Sequence, residues 1–137
     1  MKYIITLFLL FVLVMVAFSQ EKTYQYGPAK VHLCGVFSHK TFFGPPNYGE
    51  NPETDSKEHV TIMTLDSAIT VLGKPNDDVN SDTNSNVKEI QVVNLHDINL
   101  KRFYHKKVIV GGSLFCANTG HHHTNVLIEL ESIKELK

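Results

Sequence analysis

Lys107-Val108-Ile109-Val110-Gly111-Gly112-Ser113-Leu114-Phe115 is the most strand-like stretch of the chain. Val108, Val110 and Leu114 recur at period two, the spacing that puts side chains on one face of a β-strand. Two adjacent glycines inside such a run mark a bend or a bulge. Downstream, the turn Asn118-Thr119-Gly120 leads to a strand over Thr124–Glu131, with Val126, Ile128 and Leu130 on one face and Leu127 on the other. Upstream, Val31–Phe37 alternates with Val31, Leu33 and Phe37 on the core face. His59–Leu65 and Ala68–Leu72 read as two strands separated by a turn at Asp66-Ser67, and Val87–Leu95 as another. His96–Tyr104 allows one or two helical turns, with Leu95, Ile98 and Leu100 facing inward and Phe103 reaching back. Five or six short strands, one short helical segment and no long amphipathic helix define an all-β class, either a small barrel or a sandwich.

The order is strand, long loop, two or three strands, short helix, strand, loop, strand. It suits an OB-like barrel, and the segment from Lys106 to Leu114 looks like the fourth strand of such folds, with glycines that let it bend. The expected organisation is a segment 1–19 that is removed, a polar lead-in 20–30, and one domain over 31–137.

Composition sets the bounds. The chain has 137 residues, of which 42% are apolar and 20% charged, with 8 Gly, 5 Pro, 2 Cys and no Trp. That is one domain's worth of chain, neither disulfide-dense, collagen-like nor disordered. The formal net charge of −1 excludes a binder of phosphate backbones by bulk positive charge. Lys101-Arg102-Phe103-Tyr104-His105-Lys106-Lys107 mixes basic and aromatic residues, as single-strand binders do. It reads equally as a solvated junction, and no nucleic-acid partner is expected.

Residues 1–19 have the form of a cleaved signal peptide. Lys2 supplies the charge, Ile4–Phe18 the apolar core, and Ala17 and Ser19 the small residues before Gln20. The expected location is therefore periplasmic or secreted, with no membrane span in the mature chain. Export would put Cys34 and Cys116 in an oxidising compartment. Strand alternation turns them to opposite faces, Cys34 with His32 and Val36, Cys116 with Val108, Val110 and Leu114. A disulfide and two separate packing residues are both open readings.

Two connections stand out. The first, 38–57, contains Thr41-Phe42-Phe43-Gly44-Pro45-Pro46-Asn47-Tyr48-Gly49-Glu50-Asn51-Pro52. Its prolines fix φ and its glycines permit positive φ, so it is a shaped loop. Phe42, Phe43, Tyr48 and Glu50 are candidate ligand-binding residues, or the aromatics cap one barrel end. The second, 116–124, contains Thr119-Gly120-His121-His122-His123-Thr124. His121 and His123 project to one side of an extended backbone, a spacing that can place two imidazoles on Zn²⁺ or Cu²⁺. His105, Cys116, His39 and Glu50 are candidates for a third ligand, and His122 for ligand contact. A hydrogen-bonded histidine turn without metal is the other reading. In an OB-like topology the two loops flank the same face, so these separate oddities would meet in space.

The runs Phe43-Gly44-Pro45-Pro46-Asn47-Tyr48-Gly49-Glu50, Lys106–Leu114 and Thr119–Thr124 together resemble a family of small exported bacterial proteins described as a domain of unknown function. The resemblance spans nearly all of the mature chain. It implies a bacterial, exported protein and assigns no activity or site. Cys116 departs from the histidine associated with that neighbourhood in the family.

These readings lead to a binding module that uses the two loops to hold a small ligand, a metal ion or a peptide. A structural or interaction component of the cell envelope is the alternative. A hydrolase using a metal or Cys116 is more remote, because no nucleophile-elbow or metalloprotease motif is present. A monomer is expected. The eight histidines carry a direct consequence. Imidazoles titrate near pH 6.5, so acid turns a slightly negative chain positive. The protein is expected to bind a cation exchanger at pH 5 and to pass through it at pH 7.5; equal retention at both values contradicts this.

Overall fold

The computed structural model describes residues 21–137. The expected signal peptide, residues 1–19, lies outside the described residues. The order is β1 (Lys22–Gln25), β2 (Lys30–Phe43), β3 (Lys57–Leu72), β4 (Asn84–Val93), a short 3₁₀ helix (Leu100–Phe103), β5 (Lys107–Cys116) and β6 (Val126–Glu135). The protein is all-β. Its six strands form one mixed sheet in the order β1-β3-β2-β5-β6-β4, and a further antiparallel pairing joins β3 to β4. Each of β2, β4, β5 and β6 therefore has two partners, and β3 has three, because β1 adds in parallel to its end. Among the described residues, no helix is long and apolar enough to cross a membrane.

The period-two pattern is what builds the core. Val31, Leu33 and Phe37 on β2 and Val108, Val110, Leu114 and Cys116 on β5 are all buried, as alternation predicts. Met63, Ile69 and Val71 of β3, Ile90 of β4, and Ile128 and Leu130 of β6 join them. Phe103, on the 3₁₀ helix, packs into the same cluster. At about 1.5–3 kcal/mol for each fully buried large apolar side chain, this burial is the main stabilising term.

Several sequence expectations need correction. The polar lead-in 20–30 carries a strand not assigned from sequence, Lys22–Gln25, which pairs with Ile69–Leu72. The loop expected over 38–57 is shorter. β2 runs on to Phe43, so Phe42 and Phe43 sit on a strand and the connection is 44–56. The two strands expected around Asp66-Ser67 are one strand, β3. There the pairing with β4 shifts register between Thr64 and Ile69, so a bulge absorbs the exposed Asp66 and Ser67 without reversing the chain. Leu95 does not face inward: it is 65% exposed, because β4 ends at Val93 and the chain leaves the sheet before it. Cys34 and Cys116 are both free, Cys34 half-buried and Cys116 in the core, so the reading as two separate packing residues holds.

Gly112 decides how β5 passes β6. A Cβ built there would stand 2.1 Å from the carbonyl oxygen of Glu129, beside a register shift between Gly111 and Gly112. No backbone atom can yield that distance, so the strand contact requires glycine. Gly112→Ala is expected to lower stability by about 2 kcal/mol or more, as overpacking in a close contact does. Urea unfolding of residues 20–137 measures it, and a change under 0.5 kcal/mol would show that the strands separate freely.

Candidate functional site

The 44–56 connection is organised by one carboxylate. Asp55, only 8% exposed, accepts hydrogen bonds from the Asn47 backbone N–H at 2.8 Å, Asn47 Nδ2 at 3.1 Å and the Gly49 N–H at 2.7 Å. The Asn51 N–H adds a longer one at 3.3 Å. Desolvation alone would raise the Asp55 pKa, but these bonds outweigh it and hold the carboxyl below its usual range. The loop base is closed by Gly44 N–H to Ser56 O at 2.8 Å and Ser56 N–H to Pro45 O at 2.9 Å. So held, Tyr48 takes a left-handed φ of 52° and Gly49 one of 103°. A bulky residue at positive φ is strained and persists only where its surroundings over-determine it.

That strain presents Tyr48 to the histidine loop. A Cβ on Gly120 would lie 2.7 Å from Tyr48 Cζ, so the two loops touch through the glycine. The Tyr48 ring meets His121 edge-on, with centroids 6.0 Å apart. Phe42, at the end of β2, stacks on His123 at 4.3 Å with the planes 3° from parallel.

Between the loops stands Glu58, opposite Phe42 in the β2–β3 register. Its Oε2 is 2.8 Å from His123 Nε2, and its Oε1 contacts His121 Nδ1. Burial would raise the Glu58 pKa, but the bonds to His123 and His121 prevail and hold it below the usual glutamate range. His123 is nearly buried, whereas the His121 side chain is 61% exposed.

Gln91 of β4 fixes the loop's backbone. Its side chain donates to His121 O at 3.1 Å and accepts from the His123 N–H at 2.7 Å, while its own N–H donates to Thr124 Oγ1 at 2.8 Å. His122 turns the other way. Its Nδ1 accepts from the Asn118 N–H at 3.0 Å and its ring meets Phe115 edge-on. Desolvation, with the neighbouring His121 and His123, holds its pKa below the ordinary value for histidine.

The structure thus joins Phe42 at the end of β2 and Tyr48 of the 44–56 connection to His121 and His123 of the other connection. Phe43 is exposed at the end of β2, and Glu50 is exposed and makes no side-chain hydrogen bond among the described residues. His105 and Cys116 are not brought to the cluster. His105 precedes β5 and donates its N–H to Phe37 O, at the opposite end of that strand from Cys116. Cys116 Sγ lies 3.8 Å from both Asn84 Nδ2 and Asp82 O, in the core near Tyr26. Among the described residues, no group of three or more His, Cys, Asp or Glu side chains is set up to hold a metal ion. The imidazole nitrogens and carboxylate oxygens are turned on each other.

Glu58 and Gln91 escaped the sequence reading. Each lies about 30 residues or more from the histidines it holds, and only strand register brings them together. The available signal was that Phe42 and Glu58 close one hairpin and so share a face.

Residues 89–134 match a family described as a domain of unknown function (DUF4431). The matched stretch runs from β4 to β6 and includes Gln91 and the three histidines, while the Phe43–Glu50 run lies outside it. Neither a curated protein nor a solved structure matches the chain.

Asp55→Ala is expected to reduce hydrogen-exchange protection of the Asn47 and Gly49 amides by about tenfold or more. In the unsubstituted protein the folded pKa of Asp55 is depressed. Its contribution is therefore complete above about pH 4 and is lost as pH falls through the folded value. Protection of Gly49 that stays constant to strong acid contradicts this role.

Proposed function

We propose that this protein is an exported binding module built on a small OB-like barrel. Its ligand surface is the junction of loops 44–56 and 117–125, and its ligand is a small cation, either a divalent metal ion or a ligand's basic group. The signal-peptide form of residues 1–19 supports export to the periplasm or beyond. The barrel reading is supported by the pairing circuit β2-β3-β4-β6-β5-β2, with the 3₁₀ helix between its third and fourth strands. The loops then join its first to second and its fourth to fifth strands, the positions that flank the ligand face of OB folds.

One observation carries the proposal: two histidines of one loop converge on the single carboxylate of Glu58, and each is backed by an aromatic ring, His123 by Phe42 at the end of β2 and His121 by Tyr48 of the other loop. That carboxylate is held ionised. The carboxylate stands between ring faces, a setting that suits a cation. A tautomer shift at His123 leaves Nε2 unprotonated, so a cation entering the clasp replaces the imidazole–carboxylate bonds with its own. For a metal ion, His121, His123 and Glu58 would first have to release one another, because their donor atoms face each other and are not set around a common point. Cys116 has no part in this, and its burial among Asn84, Asp82 and Tyr26 gives the hydrolase reading no support.

The test is thermal unfolding of untagged residues 20–137 with Zn²⁺, Cu²⁺ or spermidine. A probe that binds the folded state stabilises it by about 2.7 kcal/mol at a hundredfold excess over Kd. At least one probe should raise Tm in the unsubstituted protein, and the rise should vanish in Glu58→Gln and in the His121→Ala, His123→Ala double variant. No shift with any probe would make the clasp purely structural and favour the envelope-component reading.

A further inference from the structure

β2 has an edge that nothing in the fold covers. Its first half pairs with β5 as far as Val36, and its second half pairs with β3 from Gly35 to Phe43. Beyond Val36, the side of β2 away from β3 meets only an isolated parallel bridge, Phe37 with Tyr104. There the His105 N–H donates to Phe37 O at 2.8 Å. At the far end, Gly44 N–H donates toward β3, to Ser56 O. Alternation then assigns the even-numbered residues' backbone groups to β3 and turns those of His39, Thr41 and Phe43 outward. Among the described residues, these outward N–H and C=O groups have no backbone partner.

Natural sheets blunt such an edge with proline, bulges or several charges. Ser38-His39-Lys40-Thr41-Phe42-Phe43 has no proline and a single lysine, and Lys40 is tied to Glu89 at 2.7 Å. His39, Thr41 and Phe43 are exposed.

We propose that this edge pairs antiparallel with the same edge of a second copy, about a two-fold axis at Thr41, in place of the monomer expected from sequence. Such pairing is isologous and closes. It sets Thr41 against Thr41 and His39 against Phe43, so every outward backbone group of these residues finds a partner. On the other face, Lys40 stands opposite Phe42, while each keeps its own contact, to Glu89 and His123. Each pair is chemically compatible and no like charges oppose. Other registers are poorer: centring on Lys40 opposes two lysines, and centring on Phe42 sets His39 against Pro45, which has no N–H. Centring on His39 drives Thr41 against Phe37, whose edge Tyr104 and His105 already occupy. Centring on Phe43 runs Thr41 against Pro45, which has no N–H. The interface does not rest on the cation-binding reading, because it uses the backbone of β2 and not the Glu58 clasp.

The experiment is sedimentation equilibrium of residues 20–137 between roughly 10 µM and 1 mM, the range in which a small interface associates. The unsubstituted protein should dimerise. Thr41→Lys and Thr41→Glu should each be monomeric, since the axis opposes position 41 to itself, with melting curves showing that each variant folds. Mixing the two variants one to one should restore a dimer containing one of each. A monomeric unsubstituted protein at the highest concentration overturns the proposal. So does a dimer that both variants preserve, or a mixture that stays monomeric.

Discussion

β3 has to satisfy three neighbours at once, and much of the molecule follows from that demand. Its sixteen residues pair with β2 along the first part, with β4 along most of the length, and with β1 at the end. A flat strand cannot serve three directions, because twist and close packing set each partner's angle. The bulge at Asp66-Ser67 supplies the turn in direction, and Lys107 of β5 reaches Asp66 at 3.0 Å across it. The start of the same strand carries Glu58. The bend that lets the sheet meet β4 and the carboxylate that the histidines hold are thus two ends of one element.

The site shows how a small β protein makes a shaped surface without a large cavity. Asp55 gathers the backbone N–H groups of its own loop and so supports a strained Tyr48. Gln91 performs the equivalent task for the histidine loop, bonding the backbone on either side of His122. Hydrogen bonds to a charged group such as Asp55 contribute about 1.5–3 kcal/mol, more than exposed ion pairs such as Lys106–Glu135. The polar groups that position the loops are therefore the ones turned inward. The aromatic contacts then fix the geometry: Phe42 supports His123 from the sheet, and Tyr48 approaches His121 from the facing loop.

Much of this was legible residue by residue. Alternation in Val31–Phe37, Val87–Leu95, Lys107–Phe115 and Thr124–Glu131 located four strands, with ends off by a few residues, and their buried faces. The same alternation turned Cys34 away from Cys116. The density of Pro and Gly marked 38–57 as a shaped loop, longer than the 44–56 connection it proved to be, and His-x-His marked 121–123. Asp66-Ser67 misled because a polar pair between apolar runs looks alike at a turn and at a bulge. Leu95 misled because helical periodicity was read into a segment that holds a single 3₁₀ turn. Phe42 and Phe43 were assigned to a loop because nothing local distinguishes the last residues of a long hairpin strand from the start of its turn.

Local pattern alone determined the class of fold, the core faces of the strands and the two unusual segments, because period-two burial and the φ restrictions of Pro and Gly act within a few residues. Tertiary structure decided which carboxylate meets the histidines, that Gln91 holds their loop, that Cys116 belongs to the core, and that the edge of β2 is left open. Those outcomes depend on register and on which strands become neighbours. Both are set by long-range packing of the whole sheet, and no short window of sequence carries that information.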